Sequence, residues 1–459
     1  MNKTHTSTNN ANKLAIKMAT ALIIGLIAGT SFIFLREKLI SSGNSDTWTM
    51  INNLLFQDIT KPEANNAIGI FYIVGQLFIN SLQLVIVPMV FTSITLAMCN
   101  ISDTKKLGRI SYKTILGFLG TSVFALILAG IFGMTANKLG LFNVSINNIA
   151  SSEGSVASNP LLVFVQAIPN NITSVFGENG RVLSIVFLAS VTGICINSLG
   201  NEILVLKKLL QDINKIITTF LTFVITKFGP IAIFVLITRT FAIYGVEHLK
   251  PALAYVGTTT IALILFLTIG YALFIYFTTG LNPMIFVKKI SKVALFGFST
   301  SSSAATLPLN TKTIIEDLGV SEEIASFTLP LGMTINMNGT AIMQVIAAIF
   351  IASSSGYEVT VGNILIISVL ALIASIGTPA APGAGAIILF TVLTGMGYQN
   401  DAAVLAYSLI LAINRPIEML VTSLNVVGDA ATSVVVAKSE GMLDEEVYNS
   451  EDVIVNEIN

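Results

Sequence analysis

Charge is what this chain has least of. Only 11% of its 459 residues are Asp, Glu, Lys or Arg, against about 25% in ordinary soluble domains, while 53% are hydrophobic. So few charges do not cover a water-facing surface, and the mean hydropathy of +0.81 points to lipid instead. Acidic and basic residues nearly balance, 25 against 24, which leaves no basic footprint for nucleic acid. Histidine and cysteine are almost missing. His5, His248, Cys99 and Cys195 are all there are, and this excludes a zinc cluster and a disulfide framework. A soluble enzyme, a disordered chain and a secreted disulfide scaffold drop out together. An all-α polytopic membrane protein remains.

What is present is apolar and long. Residues 1–12 are polar, rich in Asn and Thr, and read as a short disordered tail. Lys13 and Lys17 precede an apolar stretch that ends near Leu35. It is long and no small-residue cleavage site follows, so it reads as a retained first span rather than a signal peptide. Further apolar segments occupy 66–99, 111–139, 182–199, 203–244 and 252–279, near or beyond the ~20 residues a helix needs to cross hydrocarbon. Two of them, 66–99 and 203–244, are too long for a perpendicular crossing, and Pro88 and Gly229-Pro230 are the expected bend points. None shows the alternation of a barrel strand. Lys105, Lys106, Arg109 and Lys113 form one basic group, Lys207, Lys208 and Lys215 a second, and Lys288, Lys289 and Lys292 a third. They follow alternate spans and place those ends, with both termini, in the cytoplasm of a cell-membrane protein. The polar stretch 141–159 then lies outside, and the acidic tail from Asp444 reads as a solvated, disordered end.

Two segments in the C-terminal third are apolar enough for the membrane yet broken at their centres. They are Ser299-Thr-Ser-Ser-Ser-Ala-Ala-Thr-Leu-Pro308 and Ala374-Ser-Ile-Gly-Thr-Pro-Ala-Ala-Pro-Gly-Ala-Gly-Ala386. Proline lacks a donor and glycine loosens the backbone, so neither segment continues a helix through its middle. Exposed backbone at this depth is tolerated only inside protein or along a cavity. Two re-entrant hairpins are the economical reading. Each is succeeded by a full span, 323–353 and 400–437, so the hairpin-span unit occurs twice. Paired interruptions of this kind mark the binding site of an inverted-repeat transporter.

Span 323–353 contains Thr334-Ile-Asn-Met-Asn-Gly-Thr340. Gly339 permits unwinding that would free carbonyls for a bare cation, although hydrogen-bonding between helices is the plainer use of Asn and Thr. In the last span Arg415, Glu418, Thr422, Asn425 and Asp429 stand 3, 4, 3 and 4 residues apart and form one helical stripe. Each charge at mid-bilayer costs about 2.5–3.5 kcal/mol on insertion scales, so this face lines a site or a pathway. Arg415 and Glu418 could simply neutralise each other. Asp429 has no basic neighbour within two turns, and a bound cation is its natural partner. An ion channel would also use Asn, Thr and Gly, but it repeats its filter around a pore axis. An intramembrane protease would need a second Asp, or a base facing the serine run, and the sequence has neither.

The signature pieces are Ser301-Ser-Ser-Ala-Ala-Thr-Leu-Pro308, Asn336-Met-Asn-Gly-Thr340, Ser375-Ile-Gly-Thr378 with Pro382-Gly-Ala-Gly385, and Asn425-Val-Val-Gly-Asp429 leading to Val436-Ala-Lys438. With Leu107-Gly-Arg109 and Ile168-Pro169, in this order, the chain from about residue 13 to Gly441 resembles the dicarboxylate/amino acid:cation symporter family. That family includes archaeal sodium–aspartate transporters and mammalian glutamate and neutral amino-acid carriers. The resemblance implies eight transmembrane helices and two re-entrant helical hairpins, assembled as a homotrimer in the lipid bilayer. Spans 1–2 (13–110) and 4–5 (141–250) would make a static scaffold. Span 3 (111–140) and the block 251–438 (span 6, hairpin 1, span 7, hairpin 2, span 8) would slide as an elevator-type transport domain with hairpin 2 as gate, followed by an acidic cytoplasmic tail, 439–459.

By the same resemblance, one sodium is held by the Asp429 carboxylate with backbone oxygens of Gly332, Asn336 and Asn425. A second lies between carbonyls of Thr334 and those of Ser375, Ile376 and Thr378. Both offer only oxygen, as a hard cation requires. The substrate would meet Ser302, Ser303, Thr340, Ala381, Gly385, Glu418, Val421, Thr422 and Asn425, its α-carboxylate on Ser303, Asn425 and hairpin amides, its ammonium on Glu418 and Thr422. The departures are informative. A family Asp of a third sodium site is Asn338 here, although its partners Thr121 and Ser122 remain, and a neighbouring Tyr is Phe118; a third sodium is therefore not expected. The family arginine that grips a side-chain carboxylate is Val421, its acidic partner is Asn414, and the hairpin-one arginine of some members is Ser301. These losses imply a sodium-coupled symporter for a small neutral amino acid. The alternative is a sodium- or proton-coupled carrier of dicarboxylates or acidic amino acids, with Arg415 reaching the substrate.

Overall fold

In hydrocarbon a backbone N–H or C=O finds no water, so a long apolar run satisfies its own backbone by folding as a helix. The computed structural model, which describes residues 2–60, 64, 66–99, 105–142, 168–177, 182–244, 249–376, 378 and 383–450, is helical throughout apart from turns and one isolated bridge. Its helices are α1 (Asn2–Ser41), α2 (Ser45–Leu55), α3 (Ile70–Leu84), α4 (Ile86–Cys99), α5 (Lys105–Lys138), α6 (Ile172–Gly177), α7 (Val182–Leu199), α8 (Leu204–Phe223), α9 (Gly229–Tyr244) and α10 (Leu249–Leu265). There follow α11 (Tyr271–Thr279), α12 (Pro283–Thr300), α13 (Ser303–Glu316), α14 (Glu322–Ile335), α15 (Asn338–Ser354), α16 (Val361–Ile376), α17 (Ala384–Gly395), α18 (Asp401–Ile413), α19 (Arg415–Glu440) and α20 (Glu445–Asn449). Among the described residues five stretches are long and apolar enough to cross a membrane: Arg109–Lys138, Leu204–Ile243, Pro251–Thr279, Glu322–Ser354 and Arg415–Glu440.

The bends have local causes. Segment 66–99 breaks between α3 and α4 because Pro88 has no N–H and its ring crowds the carbonyl of Leu84, the last residue of α3. Segment 203–244 stays helical through Gly229-Pro230 by relaxing into a π-turn at Val224–Phe228. A second π-turn, Phe266–Gly270, divides α10 from α11 and was not legible in the sequence. Span 323–353 unwinds at Asn336-Met337, two residues before Gly339, and the last span breaks at Asn414, with Pro416 in the first turn of α19.

At the N-terminal end the Asn- and Thr-rich residues 2–12 continue α1, since extending an existing helix costs far less than nucleating one. Residues 441–450 fold back onto the protein rather than ending in solvent. Much of the polar stretch 141–159 lies outside the described residues.

Small residues set the close packing. Gly25 and Gly29 of α1 face Ile237 and Phe241 of α9, and Gly193 of α7 faces Thr95 and Met98 of α4. Helix α15 is buried along nearly its whole length, enclosed by α5, α10, α16, α17, α18 and α19. Hairpin 1 (α12, α13) packs on α19, and hairpin 2 (α16, α17) packs on α15, with α17 also touching α3, α4 and α7. The tip of hairpin 1, Thr378 and Gly383 of hairpin 2, and the α14–α15 break therefore converge on the polar face of α19.

Candidate functional site

At the tip of hairpin 1, Ser301 turns the chain with φ +49°, the sole left-handed residue other than glycine among those described. Ser302 Oγ accepts the Ala305 N–H at 3.3 Å and caps α13. That leaves Ser301 and Ser303 to line a cavity of about 30 Å³, room for roughly two waters. Its other walls are Met337 and Thr340 from the α14–α15 break, Thr378, Gly383 and Gly385 from hairpin 2, and Glu418, Val421, Thr422 and Asn425 from α19. Of the expected substrate residues, Ser303, Thr340, Gly385, Glu418, Val421, Thr422 and Asn425 are thus brought together. Ser302 is used in the cap instead, and Ala381 lies outside the described residues. Thr378, expected on a cation, lines the cavity as well.

Glu418 is the one charged residue on this wall. Its Oε1 accepts the Ala386 N–H at 3.3 Å, which fastens hairpin 2 to α19. Arg415 Nη1 stands 3.8 Å from Glu418 Oε2, behind the cavity wall. Arg415 is 8% exposed, and its Nε and Nη1 make no hydrogen bond. Thr422 turns its hydroxyl to Glu418 O at 3.0 Å. Val421 is 5% exposed, and no cation accompanies it on the wall. Asn414, at the break before α19, accepts the Tyr255 O–H at 2.7 Å. Asn425 spans the break: its Oδ1 accepts Gly339 N–H at 2.8 Å, and its Nδ2 donates to Thr340 Oγ1 and to Met337 Sδ, 3.2 Å each. Gly339 is required here because a Cβ would meet Val421 O at 2.7 Å. Its role is close approach, while the unwinding itself falls on Asn336 and Met337.

One turn beyond Asn425 on α19, Asp429 is 3% exposed and forms no ion pair among the described residues. Its Oδ1 accepts Asn336 Nδ2 at 3.0 Å, and Asn336 Oδ1 is buried without a partner. Two glycines make space for this carboxylate. A Cβ on Gly332 would run into the Asp429 carboxylate, and one on Gly428 would strike the Tyr271 hydroxyl. A buried carboxylate beside an amide whose own oxygen lacks a partner, in a cradle kept open by glycine, has the donor chemistry of a hard-cation site. The hydroxyls of the residues in the second expected cation set bond within their own segments. Thr334 Oγ1 donates to Leu331 O, Ser375 Oγ to Leu372 O and Thr378 Oγ1 to Ala374 O, while Ile376 packs on the Leu331–Ile335 turn that carries Thr334.

The third position is filled by a neutral network. Asn338 Oδ1 accepts Ser122 O–H at 2.6 Å, and its Nδ2 donates to Thr121 Oγ1 at 2.9 Å and Tyr271 Oη at 3.1 Å. Phe118 packs beside it on Leu331 and Ile335. Sequence reasoning missed Tyr271, Tyr255, Met337 and Gly383. Tyr271 directly follows the second π-turn, where Gly270 packs on the Phe266 ring, and neither residue type announces such a turn.

Comparison with known proteins identifies the family. The family described as the sodium:dicarboxylate symporter family matches residues 14–439. A proton/sodium-glutamate symport protein of Geobacillus stearothermophilus is 27% identical over 81% of this chain and 88% of its own length. A C4-dicarboxylate transport protein of Cupriavidus pinatubonensis is 30% identical over 81% and 86%. Human excitatory amino acid transporter 5 is 27% identical over 82% and 78%.

Proposed function

This chain belongs to the sodium:dicarboxylate symporter family, and from that premise we propose that it couples sodium entry to the import of a small neutral amino acid across the cell membrane. It is a transporter and not an enzyme. The observation that carries the substrate reading is the cavity wall, where Glu418 supplies one carboxylate for an ammonium and Val421 stands without any cation. A second carboxylate buried there unpaired costs about 2–5 kcal/mol; a small apolar side chain meets no such penalty. The coupling reading is supported by Asp429, whose charge a sodium would balance with Asn336 and the backbone of Gly332 and Asn425. Two sodium ions are proposed. A third is not, because the Asn338 amide already satisfies Thr121, Ser122 and Tyr271.

As part of the same proposal, 13–110 and 141–250 form a trimeric scaffold, 111–140 and 251–438 form the moving elevator, and both termini face the cytoplasm. One observation favours a second reading. The relatives named above are glutamate and dicarboxylate carriers, and Arg415 keeps two buried donor atoms without a hydrogen bond, which an acidic substrate could engage by drawing it away from Glu418. Uptake of labelled serine into liposomes, competed by alanine, threonine, aspartate and succinate under imposed sodium or proton gradients, separates the two.

A further inference from the structure

Past the last long helix the chain folds back. Gly441, at φ +66°, ends α19 in the left-handed conformation, and the following residues lie across the mouth of hairpin 1. Ser321 N–H donates to Met442 O at 3.2 Å, Asp444 N–H donates to Gly319 O at 2.8 Å, and Val320 pairs with Leu443. Asp444 caps α20 by accepting the N–H groups of Glu446 and Val447. Tyr448 is fully buried, and its hydroxyl donates to Asn282 O, at the start of α12, at 3.0 Å. Into this joint runs Lys289 of α12, 9% exposed. Its ammonium donates to Asp317 O, Val447 O and Tyr448 O, each at 2.8 Å, so all three of its donors are used. Asp317 ends α13, and its carboxylate also meets Lys292 Nζ at 2.7 Å. One buried cation thus joins the first helix of the hairpin, the end of the second, and the tail.

We infer that residues 441–450 and Lys289 form a strap that holds hairpin 1 shut at its mouth, with Lys289 as a positioning residue for transport. The inference rests on the symporter reading. The tip of this hairpin, through Ser301 and Ser303, is one wall of the cavity, and at its open end the Lys292–Asp317 ion pair also links its two helices. With the mouth pinned, hairpin 1 moves with α14 and α19 as one body, and no route to the cavity opens along the α13–α19 seam. The strap thereby prevents sodium and substrate from leaking past each other.

The full chain is compared with Lys289→Met, Lys289→Arg and a chain ended after Gly441. In Lys289→Met, amides of residues 283–316 should exchange with solvent about tenfold faster, the change expected from losing charge-assisted hydrogen bonds. Liposomes loaded with radioactive sodium should lose it about tenfold faster without substrate by the same measure. Lys289→Arg, which keeps charge and donors, should restore both, and the shortened chain should leak at least as much as Lys289→Met. If the shortened chain does not fold, the Met and Arg variants decide. Unchanged exchange in hairpin 1 of Lys289→Met overturns the strap. Faster exchange with unchanged sodium loss and unchanged accumulation of serine and aspartate leaves a structural brace and overturns the positioning role. Exchange is read whatever the chain carries, so a wild type that accumulates neither amino acid counts against the symporter reading and not against the strap.

Discussion

Glu418 and Asp429 lie on one face of α19, about 16 Å apart along the axis at 1.5 Å per residue, and their charges are met in opposite ways. Glu418 accepts a backbone N–H from hairpin 2 and has Arg415 nearby. Asp429 accepts one bond from a neutral amide, whose own oxygen has no partner. A buried carboxylate without a counter-ion is strongly unfavourable, and under the proposed function an ion from outside completes the Asp429 end. The Glu418 end is partly balanced from within, and under the same proposal it selects among substrates. The proposal therefore puts coupling and selectivity at different ends of one helix.

The largest expected effect comes from removing the uncompensated charge. Asp429→Asn should weaken sodium dependence by about 3–5 kcal/mol, the scale for losing one partner of a buried pair, so that sodium no longer stimulates uptake at accessible concentrations. Uptake against a sodium titration in folded, monodisperse protein checks this, and a sodium response close to wild type would erase the contrast.

Selectivity should respond next, at the other end. Val421→Arg combined with Asn414→Asp should shift preference toward aspartate over threonine by roughly 30-fold, the lower end of a ~2–5 kcal/mol charge pairing, since the arginine must also be packed into a small cavity. Asn414→Asp keeps the acceptor that Tyr255 uses. Competition assays on the double variant read the shift. Glu418→Gln should raise the half-saturating concentration of an amino acid about tenfold, as for a lost charged hydrogen bond, with the sodium titration left in place. If sodium dependence collapses as well, the two ends are not separate.

The smallest effect is a gain. Asn338→Asp keeps the bond from Ser122, and the Thr121 and Tyr271 hydroxyls can turn to donate to the new carboxylate. The added charge should steepen the sodium dependence of uptake and leave the maximal rate near wild type. An unchanged sodium curve would mean that the charge at residue 338 does not decide the number of ions.

Much of this site was legible in the sequence because membrane helices make polar residues conspicuous. The 3, 4, 3, 4 spacing from Arg415 to Asp429 placed the stripe, and the broken segments around Ser301 and Gly383 placed the hairpins. What stayed hidden depends on packing. The π-turn before Tyr271 arises where Gly270 meets Phe266, and the break at Asn336-Met337 falls ahead of the glycine that suggested it. The folded tail escaped notice because its acidic composition resembles a solvated end, while Tyr448 and the Lys289 carbonyl contacts that fix it lie more than 150 residues apart in sequence.

The central claim is sodium-driven import of a neutral amino acid, and transport by the purified protein in liposomes tests it most directly. With an inward sodium gradient and no proton gradient, labelled serine or threonine should accumulate above its external concentration, compete poorly with aspartate and succinate, and fail to accumulate in Asp429→Asn. Preferential accumulation of aspartate or succinate, or accumulation driven by a proton gradient without sodium, would contradict the account.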